Sequence, residues 1–220
     1  MVFIISSDIF SLKNIYVTGN KTIPKDVIIN VTGLQYGQSL FKMNKKKIYK
    51  NLFNNPKVKA VRIRRILPSS LSLDIIERVA VASIPYLGSY LNIDEEALII
   101  EVASLEKDKN VPVLEGLTFG DFKTGEIFKA DNDIQLTIAL EILSALKTAG
   151  LDKDIILINI GDTENIELTS NSGISVIICN SNLEYKIQMA KLIIEDLEKK
   201  EKEGIIDMKH DGNPIFKERE

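Results

Sequence analysis

The sequence of 220 residues predicts an α+β protein with two successive domains. The chain is long enough to bury two small hydrophobic cores. Residues 1–80 hold 14 Lys and Arg against 4 Asp and Glu, a net charge of +10, whereas residues 81–220 hold 14 against 27, a net charge of −13. Apolar residues recur with the period of a strand in some segments and with the period of a helix in others.

These patterns place the first domain at residues 11–79, the second at residues 80–216, and a charged tail at 217–220. Residues 1–10 begin with a short apolar run, which is either the remnant of a membrane segment or a frayed terminus. The run is far shorter than the roughly 20 apolar residues that span a bilayer. It also has no charged n-region, so it is not a signal peptide.

A β-hairpin between residues 58 and 78 is the clearest element of the first domain. Two runs of period two flank a Pro-Ser-Ser turn, and proline suits the turn because it cannot donate a ladder hydrogen bond. The first run is expected to place Val61, Ile63 and Leu67 on one face of the strand. The second run alternates three apolar with three polar residues, namely Leu71, Leu73 and Ile75 with Ser70, Ser72 and Asp74.

One strand and two helices are predicted before this hairpin. The strand covers residues 12–17, and the first helix follows Thr22, its expected N-cap, and ends at Gly33. The second helix covers residues 45–53 with Asn44 as its expected N-cap, and an Asn-Asn-Pro run ends it. The order of elements in the first domain is therefore β-α-α-β-β.

The second domain is expected to hold a mainly antiparallel sheet and two longer helices. Strands are predicted at residues 84–87, 90–93, 98–102, 111–114, 155–160, 165–169, 174–179 and 205–209, with an edge piece at 215–216. A helix over 131–149 carries two apolar rows, one of which begins at Ile134, and so wide a stripe implies burial. A second helix over 183–203 has one apolar face, and Gly204 is its expected end.

Several short motifs follow one another in the order of a known family. In the first domain they are Ile15-Tyr16-Val17-Thr18-Gly19-Asn20, Gly37-Gln38-Ser39-Leu40-Phe41, Asn55-Pro56, Leu67-Pro68 and Ile76-Glu77-Arg78. In the second they are Val79-Ala80-Val81-Ala82, Tyr90-Leu91-Asn92-Ile93-Asp94, Val111-Pro112-Val113-Leu114-Glu115-Gly116 and Gly204-Ile205-Ile206-Asp207-Met208-Lys209. Each motif alone is weak, but together they resemble a POTRA domain followed by the second domain of the FtsQ/DivIB cell-division family, over about residues 10 to 216.

The resemblance implies a non-catalytic scaffold that binds other bitopic division proteins during septum formation. It implies a single-pass protein of the cell membrane with this region outside the cytoplasm, and FtsL and FtsB/DivIC-like proteins as partners. We expect the partners at a sheet edge formed by residues 205–209 and 213–216. The partner-binding role is carried onto five residues: Ile206, Met208, His210, Ile215 and Phe216. The alternative for Ile206 and Met208 is that they face the core, which is the default for apolar strand residues.

No reaction centre is recognisable in the sequence. His210 with Asp207 and Asp211 offers too few ligands for a metal site, because such sites need three or four in a fixed geometry. Cys179 ends an apolar strand and is interpreted as a small core residue. Neither a glycine-rich phosphate loop nor a dinucleotide fingerprint occurs. We therefore predict no enzymatic activity, no metal and no cofactor.

The basic residues of the first domain suggest an anionic membrane or cell-wall surface as a neighbour. The residues assigned to this contact are Lys45, Lys46, Lys50, Arg62 and Arg64. Tyr49 is the only aromatic residue within the lysine run, and such sparse aromatic content argues against sequence-specific nucleic-acid binding. The alternative is a solvated basic face with no dedicated partner.

Two other functions stay open at this point. One is a POTRA-bearing chaperone or secretion module that binds extended strands, and the other is a hydrolase whose site is not recognised. Binding of unrelated unfolded strands favours the first. Turnover that is lost on His210→Ala favours the second.

Overall fold

The computed structural model describes residues 8–104, 111–210 and 212–218. The chain divides into two compact units, Met1–Val79 and Ala80–Glu220. Within the described ranges, every helix falls short of the length or the apolar character that crossing a bilayer requires. The apolar run of residues 1–5 lies outside the described residues, whereas Asp8–Phe10 forms a 3-10 turn.

The first unit contains three strands and two helices in the predicted order β-α-α-β-β. They are β1 (Asn14–Thr18), α1 (Lys25–Thr32), α2 (Lys45–Phe53), β2 (Val58–Ile66) and β3 (Ser70–Glu77). The sheet order is β1-β3-β2. Its central strand β3 pairs in parallel with β1 and antiparallel with β2, so the predicted hairpin is confirmed and a distant strand is added to it.

The core of the first unit lies between the sheet and the helices. Leu71, Leu73 and Ile75 of β3 are buried together with Ile48 and Leu52 of α2, as the strand and helix periods predict.

The expectation that Leu67 shares the apolar face of the hairpin is wrong, because its side chain is 58% exposed. Leu67 follows the end of β2 and belongs to the turn with Pro68, where the alternation of faces no longer applies.

Two of the four predicted helix boundaries in the first unit follow from local capping. Gly33 ends α1 with a φ of 67°, and the side chain of Asn44 accepts a hydrogen bond from the Lys47 amide at the start of α2. The prediction of Thr22 as an N-cap is wrong. Pro24 occupies that position without a side-chain cap, and Thr22 is bound by the Glu77 carboxylate instead.

The second unit contains nine strands and two helices. They are β4 (Ala82–Tyr86), β5 (Ser89–Ile93), β6 (Ile99–Ser104), β7 (Val113–Glu115), α3 (Asp133–Ala149), β8 (Ile155–Asn159), β9 (Ile166–Ser170), β10 (Ser175–Ile178), α4 (Leu183–Lys199), β11 (Gly204–Met208) and β12 (Ile215–Glu218). They form one sheet in the order β12-β11-β10-β9-β8-β7-β4-β5-β6. Five of its eight neighbouring pairs are antiparallel, which confirms the predicted sheet type.

The helices α3 and α4 pack against each other and bury their apolar faces in one core with the strands. Asn132 caps α3 through two backbone amides, and Gly150 ends it with a φ of 75°. Ile134 was expected in a buried row but is 70% exposed, since it lies in the first turn of the helix. The helix α4 ends at Lys199, so Gly204 begins β11 instead of ending the helix.

Candidate partner-binding edge

The strand β12 forms one edge of the nine-stranded sheet. It pairs antiparallel with β11 along its four residues, and the sheet order gives it no second neighbour among the described strands. The prediction that residues 205–209 belong to the edge is wrong. The strand β11 lies inside the sheet, because it also pairs in parallel with β10.

The five residues predicted to bind partners differ in their accessibility. Ile206 is fully buried and Met208 is 6% exposed, because residues two apart on β11 share the face that meets the core. Phe216 is partly buried against the same core, whereas Ile215 is 56% exposed and His210 is exposed. Ile206 and Met208 therefore support the edge from within, and the exposed positions are Ile215 and His210.

Close approach of β11 and β12 depends on Gly204. A Cβ atom at this position would lie 2.2 Å from the carbonyl oxygen of Lys217 and 2.7 Å from the ring of Phe216. No side chain fits there, so the glycine lets the last strand lie flat against β11. An ion pair of 2.9 Å between Lys202 and Glu218 adds a contact at the end of the same strand.

A pocket lies between the start of α4 and the connection that leads from β11 to β12. It is lined by Asn182, Tyr185, Lys186, Met189, Met208, His210, Gly212 and Pro214. His210 thus lies beside a concave surface that the sequence did not predict. Among the described residues, no group of three or more His, Cys, Asp or Glu side chains is placed to hold a metal ion.

A buried thiol and a buried ammonium group meet near this pocket. The Lys186 Nζ atom donates to Cys179 Sγ at 2.8 Å and to Ser181 Oγ at 3.1 Å, and the Lys186 side chain is 3% exposed. Burial raises the pKa of the Cys179 thiol, but the hydrogen bonds from Lys186 and Ser181 outweigh it, so that the pKa is lowered from its ordinary value. Cys179 is 8% exposed, which agrees with the expectation of a small buried residue. Its contact with Lys186 was not predicted from the sequence.

The sequence contains a signal that points to this lysine, although a weak one. Lys186 stands seven residues after Cys179, on the apolar face of α4, immediately before the buried Ile187. A lysine on such a face needs a buried partner. The period of α4 indicates that the lysine is buried, but it does not indicate which group lies opposite.

The basic residues of the first unit are not brought together on one surface. Arg62 and Arg64 alternate on β2 with Ile63, which faces the helices, so the two arginines lie on the opposite face of the sheet from α2. Lys45 donates to the carbonyl oxygen of Ile63 at 3.2 Å. Lys46 and Lys50 are exposed on α2. The predicted contact therefore divides into a helix face and a sheet face.

Two carboxylates of the first unit are bound within the structure. Asp74 accepts hydrogen bonds from Thr18, Ser72 and Arg64, and these lower the pKa of its carboxyl. Arg64, predicted for anionic-surface contact, is thus already paired at 2.7 Å.

Glu77 binds the connection between β1 and α1. Its carboxylate accepts from the backbone amides of Lys21, Thr22 and Ile23 at 2.7 to 3.1 Å, and from the Thr22 hydroxyl. Burial raises the pKa of Glu77, but these hydrogen bonds outweigh that effect and lower it. The same connection contains Gly19, where a Cβ atom would lie 2.1 Å from the Ile75 carbonyl oxygen.

Comparison with known proteins shows which proteins this chain resembles. Residues 10–78 match the family model described as POTRA domain, FtsQ-type. The chain is 29% identical over 209 residues to cell division protein DivIB of Clostridium botulinum, covering 94% of this chain and 81% of the relative.

Other relatives carry related names. DivIB of Staphylococcus aureus is 25% identical, with 92% of this chain and 45% of the relative covered. FtsQ of Geotalea daltonii is 29% identical over 139 residues, with 63% and 49% covered.

A solved structure of the major extracytoplasmic domain of DivIB from Geobacillus stearothermophilus, in its trans isomer, aligns with a TM-score of 0.37 and 16% identity. That alignment covers 56% of this chain and 96% of the other. The similarity to cell-division proteins rests on the FtsQ-type POTRA match and on the sequence relatives that span nearly the whole chain. Over nearly its whole length the chain is therefore similar to DivIB cell-division proteins, and its residues 10–78 match the FtsQ-type POTRA domain.

Proposed function

We propose that this chain is a non-catalytic scaffold of the division machinery, which binds other bitopic division proteins at the outer edge of β12. The observation that carries this proposal is the position of β12 at the end of the sheet, with β11 on one side only among the described strands. Such an edge offers unpaired backbone donors and acceptors to a strand from another chain.

The side chains of β12 suit this role. Ile215 and Lys217 are exposed, and Phe216 contacts the core between them. In strand addition, backbone hydrogen bonds provide affinity and alternate side chains provide specificity. We expect the partners to be FtsL and FtsB/DivIC-like division proteins, as the family resemblance implies.

The proposed location is the cell membrane, with this region outside the cytoplasm on a single-pass protein. The first unit would then lie near anionic lipid or cell-wall polymer, and the exposed Lys46 and Lys50 on α2 are the residues proposed for this contact. Exposed positive charge attracts an anionic surface without recognising any particular sequence.

The test uses proline substitutions at two successive positions of β12, Lys217→Pro and Glu218→Pro. Both side chains are exposed, so the main effect is the loss of a backbone N–H group. Successive N–H groups of an edge strand point in opposite directions, one toward β11 and one away from it. We expect one variant to lose stability and the other to remain folded but lose affinity at least about tenfold for the purified FtsL and FtsB/DivIC-like outer segments.

Lys217→Ala and Glu218→Ala are the matched controls, because they keep the N–H groups. They should retain affinity within about threefold, as expected for side chains at an exposed edge. If the proline variant that remains folded binds the partners as the parent chain does, strand addition at β12 is wrong. If the parent chain binds unrelated extended peptides equally well, a chaperone or secretion module is favoured instead.

A further inference from the structure

The buried contact between Cys179 and Lys186 has no role in strand addition at β12. Among the described residues, no carboxylate lies within ion-pair distance of Lys186. Its ammonium group donates instead to the sulfur of Cys179 and the hydroxyl of Ser181. A buried ammonium group is costly unless it is paired. The nearest acceptor for this ammonium group is the Cys179 sulfur, 2.8 Å away, and the contact favours the thiolate form of the cysteine.

The surroundings of the sulfur are polar and specific. Ser181 Oγ lies 3.2 Å from Cys179 Sγ, and in its thiol form Cys179 donates a hydrogen bond to the carbonyl oxygen of Lys209 at 3.0 Å. Ser181 thus contacts both the sulfur and the lysine nitrogen. Lys186 also lines the pocket beside Tyr185 and His210, so a small solute in the pocket reaches the lysine that contacts the sulfur.

We propose that Cys179 and Lys186 form an oxidative modification site, in which a hydroperoxide converts the thiolate and ammonium pair into a covalent sulfur–nitrogen bond. Thiolates react with hydroperoxides, and the resulting sulfenic acid condenses with a nearby nitrogen to give a sulfenamide. The nitrogen that this condensation requires is Lys186 Nζ, which already lies 2.8 Å from the sulfur before oxidation.

The steps balance with hydrogen peroxide as the oxidant. The Cys179 thiolate attacks one peroxide oxygen, the O–O bond breaks, and the sulfur becomes a sulfenic acid while hydroxide leaves. Hydroxide takes a proton from the Lys186 ammonium and becomes water. The free amine then attacks the sulfur, the S–O bond breaks, and a second water leaves. One peroxide is reduced to two waters, and the sulfur is oxidised by two electrons.

Ser181 is placed to assist the last step. Its hydroxyl lies within hydrogen-bond distance of both reacting atoms, so it can donate to the oxygen that leaves the sulfur. The product joins the residue after β10 to the first turns of α4 and removes two opposite charges from the interior. Its formation requires the sulfur and the nitrogen to move closer than their present separation of 2.8 Å.

The test is mass spectrometry of the full chain after treatment with one equivalent of hydrogen peroxide. We expect the peptide that contains Cys179 to lose the mass of two hydrogen atoms, and trypsin to fail to cleave after Lys186. Thiol reductant should restore both the mass and the cleavage. A gain of one or more oxygen atoms at Cys179, with normal cleavage after Lys186, would overturn the proposal.

Two comparisons make the result specific to the folded pair. Lys186→Met should stop at the sulfenic acid, which a dimedone adduct detects, and the parent chain unfolded in urea should do the same. The second comparison does not depend on the folding of a variant. If the unfolded parent chain loses two hydrogens as readily as the folded chain, the observed geometry plays no part and the proposal is wrong.

Discussion

The two units each join a parallel pair of strands through helices, and each holds the strand-to-helix connection with a charged side chain. In the first unit the carboxylate of Glu77 binds three successive backbone amides between β1 and α1. In the second, the ammonium group of Lys186 donates to Cys179 and Ser181 between β10 and α4. The same structural task is therefore performed by charges of opposite sign.

Glu77 and Lys186 differ in the kind of group that each one contacts. Glu77 satisfies backbone amides that precede a helix, and its carboxylate remains partly exposed at the end of a strand. Lys186 lies almost fully within an apolar core and contacts side chains. An apolar residue can replace a buried ion that contacts side chains, whereas backbone amides still need an acceptor.

The largest expected effect is the loss of the Glu77 carboxylate. Glu77→Gln should lower the free energy of unfolding by about 2 kcal/mol, because one acceptor oxygen and the charge are lost while the three amides remain. Urea denaturation followed by circular dichroism measures this change. Asp26→Asn, an exposed acidic residue of the same unit, should change the value by no more than about 0.5 kcal/mol. Equal effects of the two substitutions would contradict the assigned role.

Acid should weaken the first unit for the same reason, by less than the substitution does. Asp74 and Glu77 have lowered pKa values in the folded chain, so their stabilisation is present above their unfolded pKa values and is lost as pH falls through the folded ones. The protection of the β2 and β3 amides against hydrogen exchange, relative to the unfolded chain at the same pH, should fall below about pH 4. The decline should be shallower in Glu77→Gln; an unchanged pH dependence in that variant would exclude Glu77 as a source.

Replacing the buried cation should cost less than replacing the carboxylate. Lys186→Met keeps the length and packing of the side chain and leaves Cys179 as a small apolar residue, so stability should change by about 1 kcal/mol or less in either direction. The same urea denaturation measures it. A loss as large as that of Glu77→Gln would show that both units depend equally on their charged contacts.

The smallest effect on stability is expected at the exposed lysines of α2. The double substitution of Lys46 and Lys50 by Gln should change stability by about 0.5 kcal/mol or less. It should weaken binding to vesicles that contain phosphatidylglycerol, by about 1 kcal/mol for each lysine. Lys153→Gln on the acidic second unit is the control and should leave vesicle binding unchanged. If vesicle binding is unchanged in the double variant, Lys46 and Lys50 do not contact an anionic surface and are only solvated.

Features that depend on neighbouring residues were predictable from the sequence. The alternation around Leu71 and Leu73, the cap at Asn44 and the helix end at Gly33 each rest on contacts a few residues apart. Local chemistry decides them, and the sequence displays that chemistry directly.

Features that depend on distant pairing were not predictable. Thr22 has the chemistry of an N-cap, but a carboxylate 55 residues away binds it first. Whether residues 205–209 form an edge depends on the parallel pairing of β11 with β10 across a helix. Period-two alternation is the same for an edge strand and an internal one. The sequence therefore could not show whether Ile206 and Met208 are buried in the core or exposed to a partner.

The parallel pairing of β1 with β3 also sets the order in which the first unit can form during synthesis. Asn14 pairs with Ser70, so the strand that leaves the ribosome first must wait for 56 further residues before its neighbour exists. Local hairpin contacts between β2 and β3 form at a lower entropic cost than this long-range pairing. Glu77 is the last residue of β3, and its contacts with the β1–α1 connection therefore complete the unit only when its final strand has emerged.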